Sequence, residues 1–377
     1  MKITIERAAL LKALSHIQSV VERRNTIPIL SNVLLDASSS KSAGGKLALT
    51  ATDMDVAFVE TVPAEVAKAG STTVQAHTLY EIVRKLPEGS QVGLEWDAGK
   101  GQVALRAGRS TFVLAALPSD DFPKMAAGEL PHKFELGADA LRQLVDKTRF
   151  AISTEETRYY LNGIFLHSTA ADGVKVLRAV ATDGHRLARI QIPLPAGAEN
   201  IPGVILPRKT VMEVRKLIEE VQGAVEVSLS DTRVRFAFSD AVLTSKLIDG
   251  AFPDYERVIP SGNDKTMEVA CRDFAAAVDR VATISTEKSR AVKMALTKGT
   301  LALSANSAEA GSANEELEVA YQGSTIEIGF NARYLLDIAE QIEGENATFR
   351  MADAASPTVV TDSADQSALY VLMPMRV

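Results

Sequence analysis

The sequence contains a single cysteine, Cys271, and no long run of apolar residues. One thiol cannot form a disulfide within the chain or supply a cysteine-rich zinc site. A helix that crosses a bilayer needs roughly 20 consecutive apolar residues, and no segment approaches that length. The N-terminal stretch MKITIERAALLKALSHIQ is amphipathic and lacks the apolar centre of a signal peptide. We therefore expect a cytoplasmic protein without disulfides, membrane spans or a secretion signal.

Positive charge is also in short supply, because 41 Lys and Arg face 48 Asp and Glu, for a net charge of −7. This balance argues against a chain that coats nucleic acid over its whole surface, although a basic patch on one face remains compatible with it. With 46% hydrophobic and 24% charged residues the composition is that of a globular protein. A chain of 377 residues exceeds what one hydrophobic core usually serves, which predicts two or three domains.

Signatures of the common enzyme classes are missing as well. The sequence has no Gly-x-x-x-x-Gly-Lys-Ser/Thr loop, no His-Glu-x-x-His motif and no Gly-x-Ser-x-Gly motif. No two of its five histidines are spaced as metal ligands are. Asp183 and His185 could form a hydrolytic dyad, but the Asp-Gly pair at 183–184 favours a tight turn at a strand end. We expect a non-catalytic protein without metal or cofactor, and keep an enzyme that uses Asp183 and His185 as an alternative.

What the sequence does contain is an internal repeat. Three short motifs recur 130 or 131 residues later in the same order: ATD at 51–53 and 181–183, VRKL at 83–86 and 214–217, and FP at 122–123 and 252–253. The apolar pattern of the first 14 residues also returns at 134–145. A third, weaker copy begins with the same apolar pattern at 267–278 and lacks the ATD triplet.

Each copy is predicted to hold two strand-helix-strand-strand halves, with both helices on one face of a largely antiparallel sheet. The predicted fold is therefore α+β, with three tandem domains at 1–125, 130–253 and 256–377. Segments 119–131 and 253–265 are rich in Pro, Gly and Asp, which is typical of linkers.

Positive charge is concentrated on the predicted helices. Six helical windows hold 18 basic and 15 acidic residues, whereas the remainder holds 23 basic and 33 acidic residues. Helix propensity alone would favour such an enrichment, because Lys and Arg are good helix formers. If the helices of three repeats face a common centre, however, that centre would attract a nucleic-acid duplex and the rim would repel it.

Five segments resemble the bacterial replicative sliding clamps, the beta subunit of DNA polymerase III. They are RNTIPIL at 24–30, RYYLNG at 158–163, ATDGHRLA at 181–188, FPDY at 252–255 and the C-terminal MPMRV at 373–377. The matching segments run in the family's order from one end of the chain to the other. The three-domain subunit of this family agrees with the internal repeat.

The resemblance implies a non-catalytic, nucleoid-associated DNA sliding clamp. Two copies would join head to tail into a six-domain ring, with helices lining the hole and an antiparallel sheet outside. The ring would encircle duplex DNA without reading its sequence and would tether the replicative DNA polymerase alpha subunit, other polymerases and repair proteins through a hydrophobic groove. A clamp-loader ATPase would open it. A protein-only repeat scaffold is the second alternative.

The resemblance also carries over site residues. Those implied to contact DNA are Arg24, Tyr159, Tyr160, Arg208 and Lys209. His77 and Glu155 depart from the family, since some members carry Arg and Gln there, and a glutamate facing DNA would be repulsive. Those implied to line the client groove are Leu161, Thr182, Gly184, His185, Arg186, Leu187, Pro253, Arg257, Val258, Asn331, Tyr334, Val371, Met373, Pro374, Met375 and Arg376.

Two further groups are implied to form the joint between copies. The first domain would contribute Arg106, Arg109, Phe112 and Leu114. The third domain would contribute Thr283, Ile284, Glu315 and Glu316, with Thr283 more polar than the aliphatic residue usual in the family. Deletion of 371–377 is expected to leave a folded dimer that no longer supports processive synthesis.

Overall fold

The computed structural model describes residues 1–23, 25–40, 44–97, 99–125, 128–285 and 290–376. Its elements repeat three times along the chain. The first repeat comprises β1 (Lys2–Glu6), α1 (Arg7–Val20), β2 (Asn32–Ser40), β3 (Gly44–Thr52), β4 (Val56–Pro63), β5 (Glu65–Lys68), β6 (Gly70–Gln75), α2 (Ala76–Lys85), β7 (Gln91–Asp97), β8 (Gln102–Ala107) and β9 (Ser110–Leu117).

The second and third repeats follow the same order. The second comprises β10 (His132–Gly137), α3 (Ala138–Arg149), β11 (Gly163–Ala171), β12 (Val174–Thr182), β13 (Arg186–Pro193), β14 (Val204–Pro207), α4 (Arg208–Ile218), β15 (Ala224–Leu229), β16 (Arg233–Ala237) and β17 (Ala241–Lys246). The third comprises β18 (Lys265–Ala270), α5 (Cys271–Ala282), β19 (Ala291–Thr297), β20 (Thr300–Ser307), β21 (Gly311–Glu318), β22 (Ala320–Tyr321), β23 (Ile326–Asn331), α6 (Ala332–Ala339), β24 (Asn346–Met351), β25 (Thr358–Asp362) and β26 (Ala368–Leu372).

The predicted α+β class and threefold repeat are confirmed. At least three strands follow the helix in each half, rather than the predicted two, and the short strands β5 and β22 are additional. Every strand pair described is antiparallel, as in β17 with β4 and β13 with β26. Among the described residues, no helix is both long and apolar enough to cross a membrane.

The chain forms two compact units whose boundaries cut through the second repeat. One unit comprises Met1–Ala138 and Met212–Leu247, and the other comprises Asp139–Val211 and Ile248–Val377. In the first unit, a sheet of 13 strands is continuous because β17 of the second repeat pairs with β4 of the first. In the second unit, a sheet of nine strands is continuous because β26 of the third repeat pairs with β13 of the second. That unit also holds a four-stranded sheet in the order β21-β20-β19-β23.

The repeated ATD triplet builds the same hairpin turn twice. The Thr52 hydroxyl donates to the Val56 carbonyl at 2.9 Å, and an Asp53 carboxylate oxygen accepts the amide of Val56 at 2.7 Å. Thr182 and Asp183 make the equivalent bonds to the carbonyl and amide of Arg186. Short polar side chains at these positions satisfy the turn backbone, which explains why the triplet recurs.

The VRKL repeat has a packing explanation. Val83 and Leu86 are buried in the first repeat, as Val214 and Leu217 are in the second, whereas the intervening Arg and Lys reach the surface. Val214 and Leu217 lie three apart on one face of α4, whereas Val83 is in the last turn of α2 and Leu86 directly follows the helix, so the motif marks the buried side of a helix end.

His16 joins the first repeat to the end of the second within the first compact unit. Its Nδ1 lies 2.8 Å from the Glu60 carboxylate and its Nε2 lies 3.1 Å from that of Glu220, which also binds Lys12 at 2.7 Å. Only imidazolium has an N–H for both carboxylates. Burial alone would lower the pKa of His16, but the bonds to Glu60 and Glu220 outweigh it and raise the pKa above 6.5.

This cluster predicts a pH-dependent stability. Because the folded-state pKa is raised, the stabilisation is fully present below about pH 6.5, the ordinary pKa of histidine, and is lost as pH rises through the raised value. We expect His16→Gln to remove about 1.5–3 kcal/mol at pH 6, the scale of a hydrogen bond to a charged group, and less at pH 9. Thermal unfolding of both proteins from pH 6 to 9 measures the difference. If the stability difference between wild type and His16→Gln were the same at every pH, the predicted role of the His16 charge would be contradicted.

Candidate functional site

A cavity of about 300 Å³ opens in the second compact unit, beside β13 and β26. Apolar side chains dominate its wall, with a few polar groups at the edge. The lining residues are Arg158, Tyr160, Leu161, Thr182, Gly184, Arg186, Leu187, Pro253, Val258, Val371 and Met373. Nine of these were predicted from the sequence as groove residues. A pocket of this chemistry suits a short hydrophobic segment with a few polar groups to orient it.

The floor of the cavity is part of the sheet. Leu187 of β13 lies opposite Val371 of β26, and both pack with Val180 and Tyr255 in one buried cluster. Beyond the strand, Met373 is 38% exposed and its amide donates to the His185 carbonyl at 2.9 Å. The chain terminus therefore passes from the core to the rim within three residues. An exposed methionine beside buried aliphatic residues offers an adaptable apolar surface.

Arg158 forms a wall of the cavity and was not among the predicted groove residues. Its guanidinium binds both carboxylate oxygens of Glu155, at 2.8 and 2.7 Å, and donates to the Asp183 carbonyl at 3.0 Å. It lies over Gly184, which has a φ of +88° and whose added Cβ would come within 2.4 Å of the guanidinium. A side chain here would have to displace the guanidinium and adopt a positive φ, which glycine does without strain. The i,i+3 spacing of Glu155 and Arg158 was the available signal.

The ion pair with Arg158 also bears on the expectation that Glu155 would repel DNA. The hydrogen bonds from Arg158 lower the pKa of this carboxyl, so it stays ionised and paired. The expected repulsion from DNA is therefore offset locally by the adjacent guanidinium.

Arg186 was predicted to line the groove, and most of its guanidinium is engaged inside the protein. It donates to the carboxylates of Asp183 and Asp337 and to the Phe150 carbonyl. It also stacks between the rings of Phe150 and Tyr334, at 5.1 and 4.4 Å from their centroids. Arg186 thus fastens β13 to the end of α3 and to α6.

The Asp183–His185 dyad is not formed. The Asp183 carboxylate accepts the backbone amides of His185 and Arg186, whereas the His185 ring stacks on Tyr334 with 6.4 Å between centroids. Burial raises the pKa of Tyr334. Asn331 is used locally, because its side chain accepts the Arg333 amide and caps α6. None of these groups presents an activated nucleophile.

The C-terminal residues reach a different cavity. Pro374, Met375 and Arg376 line a space of about 790 Å³ together with Lys293 and Glu327 of the four-stranded sheet. The Met375 amide donates to the Gly329 carbonyl at 2.9 Å, which fixes the tail along β23. Twelve of the sixteen predicted groove residues therefore divide between these two cavities, whereas His185, Asn331 and Tyr334 line neither. Arg257 lines neither cavity and pairs with Asp254 at 2.7 Å on the exposed face of the connector.

The residues predicted to contact DNA fall in three environments. Tyr159 is 53% exposed, whereas Tyr160 lines the 300 Å³ cavity. Arg208 is exposed at the start of α4, where its amide donates to the Asn162 carbonyl, and Lys209 beside it is partly buried. Tyr159 and Arg208 therefore lie on adjoining segments. Arg24 lies outside the described residues.

Four of the eight predicted joint residues lie on two edge strands, Phe112 and Leu114 on β9 and Glu315 and Glu316 on β21. Residues 110–115 of β9 pair with β8, and no strand of the described chain pairs with their other edge. Phe112 on this strand lines a cavity of about 530 Å³ with α2, where His77 also lies and bonds to the Val21 carbonyl at 3.1 Å. Arg106 and Arg109 are exposed nearby, and Leu114 is half-buried.

In the second compact unit, β21 ends the four-stranded sheet and pairs, within the described chain, with β20 alone. Glu315 binds Arg280 through both carboxylate oxygens, so its charge is already partly neutralised, whereas Glu316 is exposed. Thr283 is exposed after α5, and Ile284 beside it is half-buried.

Comparison with known proteins covers nearly the whole chain. Sequence models of the DNA polymerase III beta subunit match in three parts: the N-terminal domain at residues 1–126, the central domain at 135–254 and the C-terminal domain at 256–376. The beta sliding clamp of Caulobacter vibrioides is 55% identical over 377 residues and is covered completely, as is this chain. The beta sliding clamp of Escherichia coli K12 is 37% identical over 379 residues, again with complete coverage of both.

Solved structures agree. A crystal structure of the Caulobacter crescentus beta sliding clamp has a TM-score of 0.97 and 55% identity, covering 100% of this chain and 99% of that one. The Bartonella birtlesii sliding clamp bound to griselimycin has a TM-score of 0.96 and 48% identity over all of both chains.

Proposed function

The chain belongs to the DNA polymerase III beta subunit family and is a DNA sliding clamp, and on this basis we propose how two copies close into a ring and where client proteins bind. It is a non-catalytic subunit, in which DNA is held by enclosure and polymerase by a docking groove. The proposed ring closure is supported mainly by the way strands of successive repeats pair with each other.

The two joints between repeats follow one rule. β17, the last strand of the second repeat, pairs with β4, which closes the first half of the first repeat. β26, the last strand of the third repeat, pairs with β13, which closes the first half of the second repeat. By the same rule, β9 of the first repeat should pair with β21 of a third repeat. These are the two strands described above with an open edge.

We assign this pairing to a second copy of the chain. A head-to-tail interface uses different surfaces on each partner and closes only when the rotation between copies completes a circle. Two chains of three repeats would then place six repeats in a closed ring. Arg106 and Arg109 near β9 carry charge opposite to Glu316 and Glu318 on β21, which favours this orientation. Phe112 would gain apolar cover that it lacks in the isolated chain.

DNA would be contacted through phosphates rather than bases. Arg208 is an exposed cation at the start of α4, and the Tyr159 hydroxyl on the adjoining segment can bond phosphate oxygens. Such contacts carry no sequence information, which suits a protein that must slide. Binding energy is then supplied mainly by counterion release and depends on salt.

Arg208→Ala should therefore weaken DNA binding equally for all sequences. The slope of log affinity against log salt concentration should become shallower by about 0.9, the contribution of one phosphate contact on duplex DNA. Fluorescence anisotropy with a short duplex at several salt concentrations measures this slope. Lys175→Ala, which removes an exposed cation from the hairpin end of β12, should leave it unchanged. Equal slopes for Arg208→Ala and wild type would remove Arg208 from the DNA-contacting set.

The 300 Å³ cavity would hold the apolar side chains of a client peptide. Buried Leu187 and Val371 provide the floor, and Met373, Pro253 and Val258 provide adaptable walls. We propose the replicative polymerase alpha subunit, the clamp-loader ATPase, and other polymerases and repair proteins as clients, and the cytoplasmic nucleoid as the place of action. Griselimycin, which the Bartonella birtlesii clamp binds, would occupy the same cavity here.

A further inference from the structure

The connector that forms one wall of the cavity is held by side chains rather than by a sheet. Pro253 and Val258 come from this segment, residues 252–259, whose only helical turn is Tyr255–Val258. In the part of the chain that the structure describes, no backbone hydrogen bond joins residues 252–258 to a strand. The position of the wall therefore depends on what its side chains bind.

Aromatic packing supplies the first attachment. The Phe252 ring stacks on Phe165 of β11, with 4.9 Å between centroids and planes 7° apart. Tyr255 is 5% exposed and packs against Val180, Leu187 and Val371, the cluster that forms the cavity floor. The aromatic contacts place the connector over the sheet, but stacked rings can slide at little cost.

A buried arginine supplies the second, directional attachment. Arg178 of β12 is only 4% exposed and donates from Nη1 to the Tyr255 hydroxyl at 2.9 Å and to the Glu256 carboxylate. Its Nε and Nη2 donate to the Gln191 side chain at 3.2 and 3.0 Å. The Tyr255 hydroxyl also lies 3.0 Å from His167 Nε2. Two of the three groups that Arg178 binds thus belong to the connector.

The buried positive charge of Arg178 and the position of the connector therefore depend on each other. A guanidinium buried without partners is strongly unfavourable, so displacement of the connector would leave Arg178 uncompensated. The connector is consequently held where Tyr255 and Glu256 reach the guanidinium. Neither Arg178 nor Tyr255 lines the cavity itself.

We propose that Arg178 and Tyr255 are positioning residues for client binding, which hold Pro253 and Val258 at the distance from β13 and β26 that a client peptide requires. The proposal rests on the groove assignment made above. The affinity for a groove ligand should then depend on the buried hydrogen bond between Arg178 and Tyr255, although the ligand touches neither residue.

The test compares the affinity of griselimycin, measured by isothermal titration calorimetry, for the full-length clamp and its variants. Arg178→Met, which keeps the length of the side chain and removes its charge and donors, should weaken binding about tenfold. Arg178→Lys retains a cation for Glu256 and should stay within about threefold of wild type. Tyr255→Phe keeps the ring packing and removes only the hydroxyl, so it should weaken binding about threefold even if Arg178→Met folds poorly.

Leu177→Ala is the matched control for general destabilisation. Leu177 is fully buried on the same strand, and successive residues of a strand face opposite sides of the sheet. It should lower the melting temperature but leave griselimycin affinity within about twofold. An equal loss in Leu177→Ala and Arg178→Met, or wild-type affinity in Arg178→Met, would overturn the positioning role.

Met373→Asp separates this proposal from the groove assignment. If it weakens griselimycin binding while Arg178→Met does not, the groove stands and the positioning role fails. If Met373→Asp binds as wild type does, the groove assignment fails and the positioning role with it.

Discussion

Met373→Asp should reduce processive DNA synthesis to the level of polymerase without a clamp, because polymerase and clamp loader are proposed to use the same groove, while the dimeric ring still forms. The substitution places a carboxylate at the rim of an apolar cavity, beside buried Leu187 and Val371. A charge that must be desolvated when a hydrophobic client binds should cost at least 1.4 kcal/mol, about a tenfold loss of affinity. Because Met373 is 38% exposed, the fold should tolerate the change. Product length in primer extension with the replicative polymerase is the measurement.

Met54→Asp is the matched control. Met54 is 48% exposed and occupies, in the turn between β3 and β4, the position equivalent to Gly184, with a φ of +80° against +88°. This substitution is also methionine to aspartate, at a residue that does not line the cavity. Wild-type product lengths with Met373→Asp, or equally short products with Met54→Asp, would contradict the groove assignment.

Phe112→Asp should convert the dimer to monomers. Phe112 lies on the open edge strand β9 and lines the cavity that a partner would cover. Burying an unpaired carboxylate there should cost about 3 kcal/mol at each of two joints, about 6 kcal/mol in all, and so raise the dimer dissociation constant roughly 10⁴-fold. Sedimentation equilibrium at micromolar concentration should then report the 40.4 kDa mass of one chain rather than twice that value.

The control for this substitution is Val174→Asp. Val174 is 61% exposed at the start of β12, so it gains the same charge at an apolar surface position outside the proposed joint. It should sediment as a dimer. A dimeric Phe112→Asp protein with unchanged dissociation would show that β9 does not form the joint.

The repeated local features of this fold could be predicted from the sequence because they are made by neighbours in the chain. The ATD triplet marks a turn in which Thr182 and Asp183 satisfy the local backbone, and VRKL marks the apolar face of a helix. Joints between repeats are different. Which strand meets β4 or β13 depends on packing across more than 100 residues, and the groups that pair are backbone N–H and C=O, which do not differ between sequences.

The groove was predicted in composition but not in arrangement. Arg186 matched the family pattern, yet its guanidinium is engaged by Asp337 and Phe150, which lie 151 and 36 residues away and are not recognisable as partners from the sequence. Arg158 was passed over although it covers Gly184. The deletion of 371–377 was expected to leave a folded dimer, but fully buried Val371 pairs with both β13 and β25. The deletion would remove the end of a central strand, so we now expect it to lower the stability of the fold as well.

The most direct measurement of the central claim is retention on DNA before and after a circular plasmid is cut. The protein is loaded onto a nicked plasmid with a clamp loader and ATP, separated from free protein by gel filtration, and the plasmid is linearised once. A ring held by enclosure should stay on the circle and slide off the ends within minutes of linearisation. Protein that remains bound to the linear DNA would be held by ordinary contacts, which would contradict the sliding ring.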